Sequence, residues 1–221
     1  MRTVDPKKHQ ARRTHIIQSA VALFASKGFA DTTTSDICRA AGISTGSLFH
    51  YFPSKQAVFY GIWELDRTEW EDVFAAAEAD PDPWAALMAI VDKLAADAVE
   101  PIMAGLLVEV IAHAHRDHEF AAGLAENDRR QISGVASLIR RLREAGLADP
   151  GLSDEEAARW VLTLTDSFLG RGYPEPERDV DAAVDTAKVL IARALRLTGV
   201  PAPVVTSRVG RPSSDQASAS S

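Results

Sequence analysis

Residues Thr33–Lys55 read TTSDICRAAGISTGSLFHYFPSK, and this stretch decides the fold. A threonine followed by Asp36 predicts the start of a short helix, because threonine caps free amide groups and a carboxylate is favourable at the positive end of the helix dipole. Gly42 ends that helix, Ser44 caps a second one, and Pro53 stops it. Two short helices joined by a tight turn predict a helix-turn-helix.

The second helix of this stretch, about 45–51, has the composition of a helix that approaches DNA. Its first residues are small, namely Thr45, Gly46 and Ser47. Small residues allow close approach to base edges, and hydroxyl groups suit phosphate oxygens. Leu48 and Phe52 lie four residues apart, so we expect them to face inward and anchor the helix.

Almost all of the remaining chain also predicts helices, so the expected fold class is all-α. Apolar residues recur at three- and four-residue spacing, and the alternation typical of strands is absent from the sequence. The expected long helices are 8–27, 55–79, 83–98, 101–115, 117–145, 153–170 and 179–198. Ser153 and Glu156 predict a capping box.

Charge divides the 221 residues into two parts. The formal net charge is −7, which taken whole argues against nucleic acid as a partner. Residues 1–60, however, hold eight Lys or Arg and three Asp, a balance of +5, whereas residues 61–221 hold 16 Lys or Arg and 28 Asp or Glu, a balance of −12. We therefore expect two functional units, of which the basic one meets DNA phosphates.

Cysteine usage and hydropathy narrow the class of protein and its compartment. The single cysteine, Cys38, excludes an internal disulfide framework and a multi-cysteine metal site. The sequence has no apolar run of about 18 residues and no hydrophobic stretch at its start, so we expect neither a membrane span nor a signal peptide. These features fit a cytoplasmic protein.

A serine hydrolase is a competing interpretation of the same turn. Residues 42–46, GISTG, match the G-x-S-x-G nucleophile elbow, with Ser44 as the nucleophile. That chemistry needs a strand before the serine and a histidine after the acidic residue. Asp166 has no histidine downstream, since the last one is His118. We therefore expect no enzymatic activity.

A cluster of histidines at 113–119, HAHRDHE, is the other segment that suggests chemistry. On one helix the side chains of His113 and His115 point about 200° apart, so all three histidines cannot face one ion. His115 can meet His118 or Glu119 at helical spacing, but a solvated helix junction is the better explanation. We therefore expect no metal ion, and the absence of a phosphate loop or dinucleotide fingerprint predicts no cofactor.

Residues 10–60 resemble the DNA-binding segment of the TetR family of transcriptional regulators. The resemblance rests on the end of the first helix, the paired threonines, the turn at 41–44, and Phe52 followed by Ser54 and Lys55. It implies DNA contacts by Thr33, Thr34, Ser44, Thr45, Gly46, Ser47, Phe49, His50, Tyr51 and Lys55.

Each of these residues takes its expected role from the family position that it matches. The threonines and Lys55 are expected at the phosphate backbone, and residues 44–47 in the major groove. Phe49 stands where the family usually has a tyrosine that binds phosphate through its hydroxyl group, and phenylalanine cannot donate that hydrogen bond. His50 and Tyr51 can supply the phosphate contact instead.

The resemblance also implies an arrangement of parts. They are a flexible basic arm (1–9), a helix-turn-helix domain (10–55) and a helical effector-binding and dimerisation domain (56–198), while the Pro-, Ser- and Ala-rich composition of 199–221 predicts a disordered tail. The expected effector pocket is lined by Trp63, Trp84, Leu87, Met88, Met103, Leu107, Glu109, Val110, His113, Asp166 and Phe168. Glu109 and Asp166 are acids within apolar stretches, and each can either bind a cation or an amine or accept hydrogen bonds inside the bundle.

Apolar faces near the C-terminus are expected to form a homodimer, because the family packs the matching helices of two subunits together. The expected interface residues are Trp160, Leu164, Val184, Ala187, Leu190, Ile191 and Ala194. A dimer places two recognition helices at the half-sites of a palindrome. The expected function is thus a repressor released from its operator by a small molecule. The alternatives are an activator, an architectural DNA-binding protein without effector, and an interaction module that binds no DNA.

Overall fold

The helices begin and end close to the positions that the sequence predicts. The computed structural model describes residues 5–171 and 180–199, without the side chains of 99, 101, 167–171 and 180. Its helices are α1 (Pro6–Asp31), α2 (Thr34–Ala41), α3 (Thr45–Tyr51), α4 (Lys55–Ala79), α5 (Pro83–Val99), α6 (Pro101–Ala114), α7 (His118–Glu144), α8 (Asp154–Arg171) and α9 (Val180–Ala194). The predicted all-α class is confirmed. Within these ranges no helix has the length and apolar character that crossing a bilayer requires.

Polar side chains cap the starts of most of these helices. A backbone amide of the following first turn donates a hydrogen bond to the side chains of Asp5, Thr33, Ser44, Ser54, Asp82 and Asp117. At α8, the Glu156 amide donates to Ser153 Oγ at 3.2 Å, and the Ser153 amide donates to the Glu156 carboxylate at 3.2 Å. This reciprocal pair is the capping box that the sequence predicts.

The first helix departs from expectation at both ends. It begins at Pro6, so residues 6–9 are helical and not part of a flexible arm, because Asp5 caps the helix and proline suits a first turn. It also continues past Lys27, although Gly28 leaves the helical conformation with φ 83° and ψ 161°. The rest of the expected arm, 1–4, and nearly all of the expected tail lie outside the described residues.

Two large hydrophobic clusters and a small third one, formed by Ala95 and Ala187, hold the described helices together. The upper cluster is built by α4, α5, α7, α8 and α9, with Leu87 and Ile191 fully buried. The lower cluster joins α1–α4 to α6 and the start of α7, and includes buried Leu106 and Phe120. The packing therefore does not divide at residue 55, because the helix-turn-helix shares its core with the expected effector domain.

The α1–α6 junction is the tightest part of the lower cluster, and we define it by Ala25, Gly28, Phe29, Gly105 and Glu109. A Cβ atom at Gly105 would lie 2.4 Å from the Ala25 carbonyl oxygen, so a larger residue does not fit. One turn later on α6, Glu109 Oε2 accepts a hydrogen bond from the Phe29 amide at 2.8 Å. The close packing at Gly105 and the hydrogen bond to the Glu109 carboxylate thus join the two helices.

Candidate DNA-binding surface and effector groove

Local hydrogen bonds fix both the start of α2 and the turn that joins α2 to α3. The Asp36 amide donates to Thr33 Oγ1, and the Thr33 amide donates to the Asp36 carboxylate, each at 3.1 Å. The Thr33 hydroxyl also donates to the Asp36 carboxylate at 2.8 Å, and this bond, followed by the one from the Thr33 amide, is the main reason why the pKa of Asp36 lies below its ordinary value. Gly42 adopts the left-handed conformation (φ 62°, ψ 40°), and the Ile43 amide donates to the Cys38 carbonyl at 3.0 Å. The direction of α3 is thereby set.

α3 has one buried face and one exposed face. Leu48 and Phe52 are buried, as predicted. Four residues of the outer face are exposed, namely Thr45, Gly46, Phe49 and His50. At the edges, Ser47 and Tyr51 are half-buried, and the Ser47 amide donates to Ser44 Oγ at 3.2 Å. The members of the expected DNA-contacting set on the outer face of α3 thus share one accessible surface.

A cluster of rings and one arginine attaches the end of α3 to α1. The ring centroid of His9 lies 4.8 Å from that of Tyr51 and 6.1 Å from that of His50. Arg13 donates to the Tyr51 carbonyl at 3.1 Å and lies 4.3 Å from the centroid of the Phe52 ring. Sequence reasoning missed these partners, because the Arg13 contact joins residues 38 positions apart.

Lys55, an expected phosphate contact, forms hydrogen bonds inside the protein. Its Nζ donates to the carbonyl oxygens of Phe29 at 2.5 Å, Ala30 at 3.2 Å and Thr32 at 2.7 Å. An ammonium group has three hydrogens to donate, so these carbonyls occupy all of them. The side chain therefore joins the start of α4 to the end of α1.

The residues of the expected effector pocket lie in separate parts of the described structure. Trp84 and Leu87 are buried in the upper cluster, with Met88 packed against it. Met103 and Val110 belong to the lower cluster. The remaining members include Leu107, half-buried on α6, Asp166, exposed on α8, and Phe168, whose side chain lies outside the described residues.

Glu109 and His113 of α6 have partners inside the protein. Glu109 accepts from the Phe29 amide, so the structural alternative for this acid is the one observed. The His113 ring lies 4.8 Å from the Phe29 ring, 4.9 Å from the Phe59 ring and 4.9 Å from the Phe120 ring, measured between centroids. Both residues therefore connect helices of the lower cluster.

The surroundings of Ser44 and of the histidine cluster differ from those that a serine hydrolase or a metal site requires. Ser44 follows a turn between two helices, whereas a nucleophile elbow follows a strand. His115 and His118 are exposed, while His113 lies among aromatic rings. In the described ranges, no group of three or more His, Cys, Asp or Glu side chains is placed to hold a metal ion.

A groove between α4 and α7 has the size of a small-molecule site. It encloses about 410 Å³. Its apolar and aromatic lining consists of Tyr60, Trp63, Phe120, Gly123 and Leu124, and its polar lining of Glu64, Arg67, Glu119, Glu126, Asn127 and Arg130. Among the expected pocket residues, Trp63 lines this groove. The Trp63 Nε1 atom is buried without a hydrogen-bond acceptor.

Hydrogen bonds hold α4 against α7 around the groove. Gln56 Nε2 donates to Asp117 Oδ2 at 2.7 Å, and the Tyr60 hydroxyl donates to the same oxygen. The bond from Tyr60 is the main reason why the pKa of Asp117 is lowered. Asn127 Nδ2 donates to Asp66 Oδ2 at 3.1 Å, and burial raises the pKa of Asp66.

The expected dimer interface is accessible in part. Trp160 and Leu190 are 60% and 44% exposed, respectively. Ala187 and Ile191 are buried in their own protomer, which corrects their expected place at the interface. The other expected members are Leu164 and Val184, which are half-buried, and Ala194, which is exposed. The correction arises because apolar spacing predicts burial without naming the partner.

Two family models match this chain. Residues 16–61 match the bacterial regulatory proteins of the tetR family, and residues 83–196 match the C-terminal part of BetI-type transcriptional repressors. The second match alone spans more than half of the 221 residues. The chain therefore belongs to the TetR family of transcriptional regulators, and the resemblance is confirmed.

Individual proteins are similar to this chain in sequence or in fold. The transcriptional regulator UidR of Escherichia coli K12 is 27% identical over 161 residues, covering 72% of this chain and 81% of UidR. The structure of Salmonella enterica GusR is 24% identical with a TM-score of 0.68, covering 84% of this chain and 96% of GusR. The structure of AibR with isovaleryl coenzyme A and operator DNA is 15% identical with a TM-score of 0.66, covering 85% of this chain and 100% of AibR.

Proposed function

We propose that this chain is a cytoplasmic, homodimeric repressor that leaves a palindromic operator when a small molecule binds its helical body. The outer face of α3 carries the proposal. Thr45, Gly46, Phe49 and His50 are exposed there, and none of them belongs to either hydrophobic cluster. A rigid helix that exposes small and polar residues at its start suits the major groove.

The surroundings of α3 support a docking arrangement. Thr45 and Ser47 present hydroxyl groups to base edges, and Gly46 has no atom within 4 Å of the place where a Cβ would lie. Phosphates flank the groove, where His50 and the amide groups at the start of α2 meet them. Because Lys55 and Arg13 are engaged inside the protein, we assign the free positive charge to exposed Lys8 and Arg12.

Exposed apolar residues on α8 and α9 support the dimer. Trp160 and Leu190 leave about half of their surface in solvent in one protomer. Large apolar side chains exposed in this way mark interaction surfaces when they lie close together. We propose that these residues, with Ala194, pair with the same face of a second copy, and that the pair sets the spacing of the two α3 helices.

The groove between α4 and α7 is the proposed effector site. Its aromatic and apolar lining suits an apolar or planar body, and the Trp63 Nε1 atom, which is buried without an acceptor, can meet an effector oxygen once the indole ring turns toward the groove. The effector class is therefore a small molecule that has an apolar body and a carbonyl, carboxylate or ether oxygen. AibR, which shares the fold, is known in complex with an acyl thioester and with DNA.

α4 links this groove to the DNA-binding surface. The same helix carries Trp63 in the groove and, about two turns earlier, Lys55 at the end of α1. A ligand that separates α4 from α7 strains the hydrogen bond from Tyr60 to Asp117 and moves Lys55 with the helix. The effector changes operator affinity only if it binds the two arrangements with different affinity.

Selection of bound sequences from random duplex DNA tests the proposed DNA binding. We expect a palindrome to be enriched and its affinity to fall steeply with salt. Lys8→Ala should weaken all sequences alike and reduce the salt dependence, whereas Thr45→Ala should also change the preferred sequence. If no sequence is enriched, the proposal is wrong.

A thermal-shift screen of apolar oxygen-bearing compounds tests the groove. A true effector raises the melting temperature of the wild type and weakens its operator binding, and the operator must weaken effector binding by the same factor. Trp63→Phe keeps an aromatic ring but removes the N–H donor, so it should bind the effector more weakly. Unchanged effector binding in Trp63→Phe would place the site elsewhere.

A further inference from the structure

Phe49 has an apolar side chain that does not contribute to either large hydrophobic cluster of the fold. Its side chain is large and apolar, yet the residue is 49% exposed. Within the described part of the chain it has no aromatic ring contact and belongs to neither hydrophobic cluster. Its phenyl ring therefore remains available for a surface that docks on α3.

Although the family's tyrosine at this position binds phosphate, two features of Phe49 favour a contact with bases. Thr45 and Phe49 lie four residues apart, on one face of the helix. His50, the next residue, turns toward the α1 side, where its ring lies 6.1 Å from that of His9. A ring without a hydroxyl group also has nothing to donate to a phosphate oxygen.

The chemistry of the major groove then selects the contact. Its base edges present hydrogen-bond donors and acceptors, together with one apolar group, the C5-methyl of thymine. We propose that Phe49 packs on a thymine methyl in each half-site and so determines sequence preference at that position. The proposal rests on the proposed DNA binding and adds to it the base that this residue reads.

Replacing thymine by deoxyuracil tests the contact, because it removes only the methyl group. In the selected operator, one symmetric thymine pair should respond. Its replacement in one half-site should weaken wild-type binding about fourfold, which corresponds to ~0.8 kcal/mol for one buried methyl-sized group. In Phe49→Ala the two DNAs should bind equally, whereas Phe49→Tyr, which keeps the ring, should retain most of the difference.

The controls separate this inference from the proposed function. Because Phe49 is exposed, the melting temperature of Phe49→Ala should match the wild type, and its salt dependence should also match. Three results would overturn the inference while DNA binding stands. Replacement of thymine by deoxyuracil could leave the affinity unchanged at every position, or it could weaken Phe49→Ala as much as the wild type. The selected half-site could also contain no thymine. If no operator is selected at all, both the proposed function and this inference fail.

Discussion

The ammonium group of Lys55 joins chain segments that lie more than twenty residues apart in the sequence. It holds the carbonyl groups of Phe29, Ala30 and Thr32, which no helical amide satisfies at the end of α1. Buried carbonyl groups need such donors, because an unpaired one is unfavourable by the free energy of its lost hydration. Lys55 thus contributes to folding before any DNA is present.

Replacing Lys55 tests this role. Lys55→Ala should lower the free energy of unfolding by about 1–3 kcal/mol, since it removes charged hydrogen bonds from three carbonyls. The matched control is Lys8→Ala, an exposed lysine in the same basic segment, which should change stability by less than ~0.5 kcal/mol. Urea denaturation monitored by circular dichroism measures both. Equal stability of the two variants would return Lys55 to the DNA-contacting set.

Asp66 makes stability depend on pH with the opposite sign to most carboxylates. Burial raises the pKa of Asp66, because the folded state disfavours the ionised carboxylate. The free energy of unfolding therefore falls as the pH rises from the pKa of Asp66 in the unfolded state through its raised pKa in the folded state. Asp66→Asn keeps an acceptor for Asn127 and should therefore raise the melting temperature at pH 7. The gain over the wild type should shrink as the pH falls below about 4. A gain that is independent of pH would contradict this assignment.

At the scale of the elements, the α1–α6 junction behaves as one rigid piece. Gly105 leaves no space against the Ala25 carbonyl, and Glu109 holds the Phe29 amide beside the break at Gly28. Motion of α6 therefore carries α1 with it. This junction adds a second connection, beside α4, between the helical body and the DNA-binding surface.

Two glycine substitutions of opposite effect test the junction. Gly105→Ala forces α6 away from α1 and should lower the free energy of unfolding by about 1–3 kcal/mol. Gly123→Ala, in α7, meets no atom within 4 Å and should raise it by roughly 0.5–1 kcal/mol, because glycine is unfavourable in a helix. Chemical denaturation of both variants gives the comparison. If Gly105→Ala is as stable as Gly123→Ala, the close approach is not real.

The sequence predicted elements better than partners, for a physical reason. Helix limits depend on local signals such as Ser153 with Glu156, and these could be read directly. Apolar spacing predicts that Trp84 and Leu87 face the interior, and both are buried. The same spacing occurs in residues that line a pocket, so the pattern does not distinguish a packed core from a ligand site. Likewise, no pattern indicated that Glu109 would meet an amide 80 positions earlier in the chain.

At the scale of the whole molecule, the exposed residues of α8 and α9 predict the assembly. Trp160→Arg should shift the protein from dimer to monomer in sedimentation velocity and reduce binding to the palindrome more than to a single half-site. The control is Val108→Arg, because Val108 on α6 is also exposed, at 64%, but lies outside the proposed interface. Dissociation by Val108→Arg and not by Trp160→Arg would move the interface to α6.

The shared lower cluster limits how this protein can be recombined with its relatives. A chimera joined near residue 55 or 60 would place α1–α3 on a foreign α6, and would keep its core only if that helix offered a glycine opposite Ala25 and an acceptor opposite Phe29. The outer face of α3 has fewer such constraints, since Thr45, Gly46 and Phe49 are exposed and belong to neither large hydrophobic cluster. Operator preference can therefore change by single substitutions, whereas exchange of the whole α1–α3 segment requires matched changes in α6.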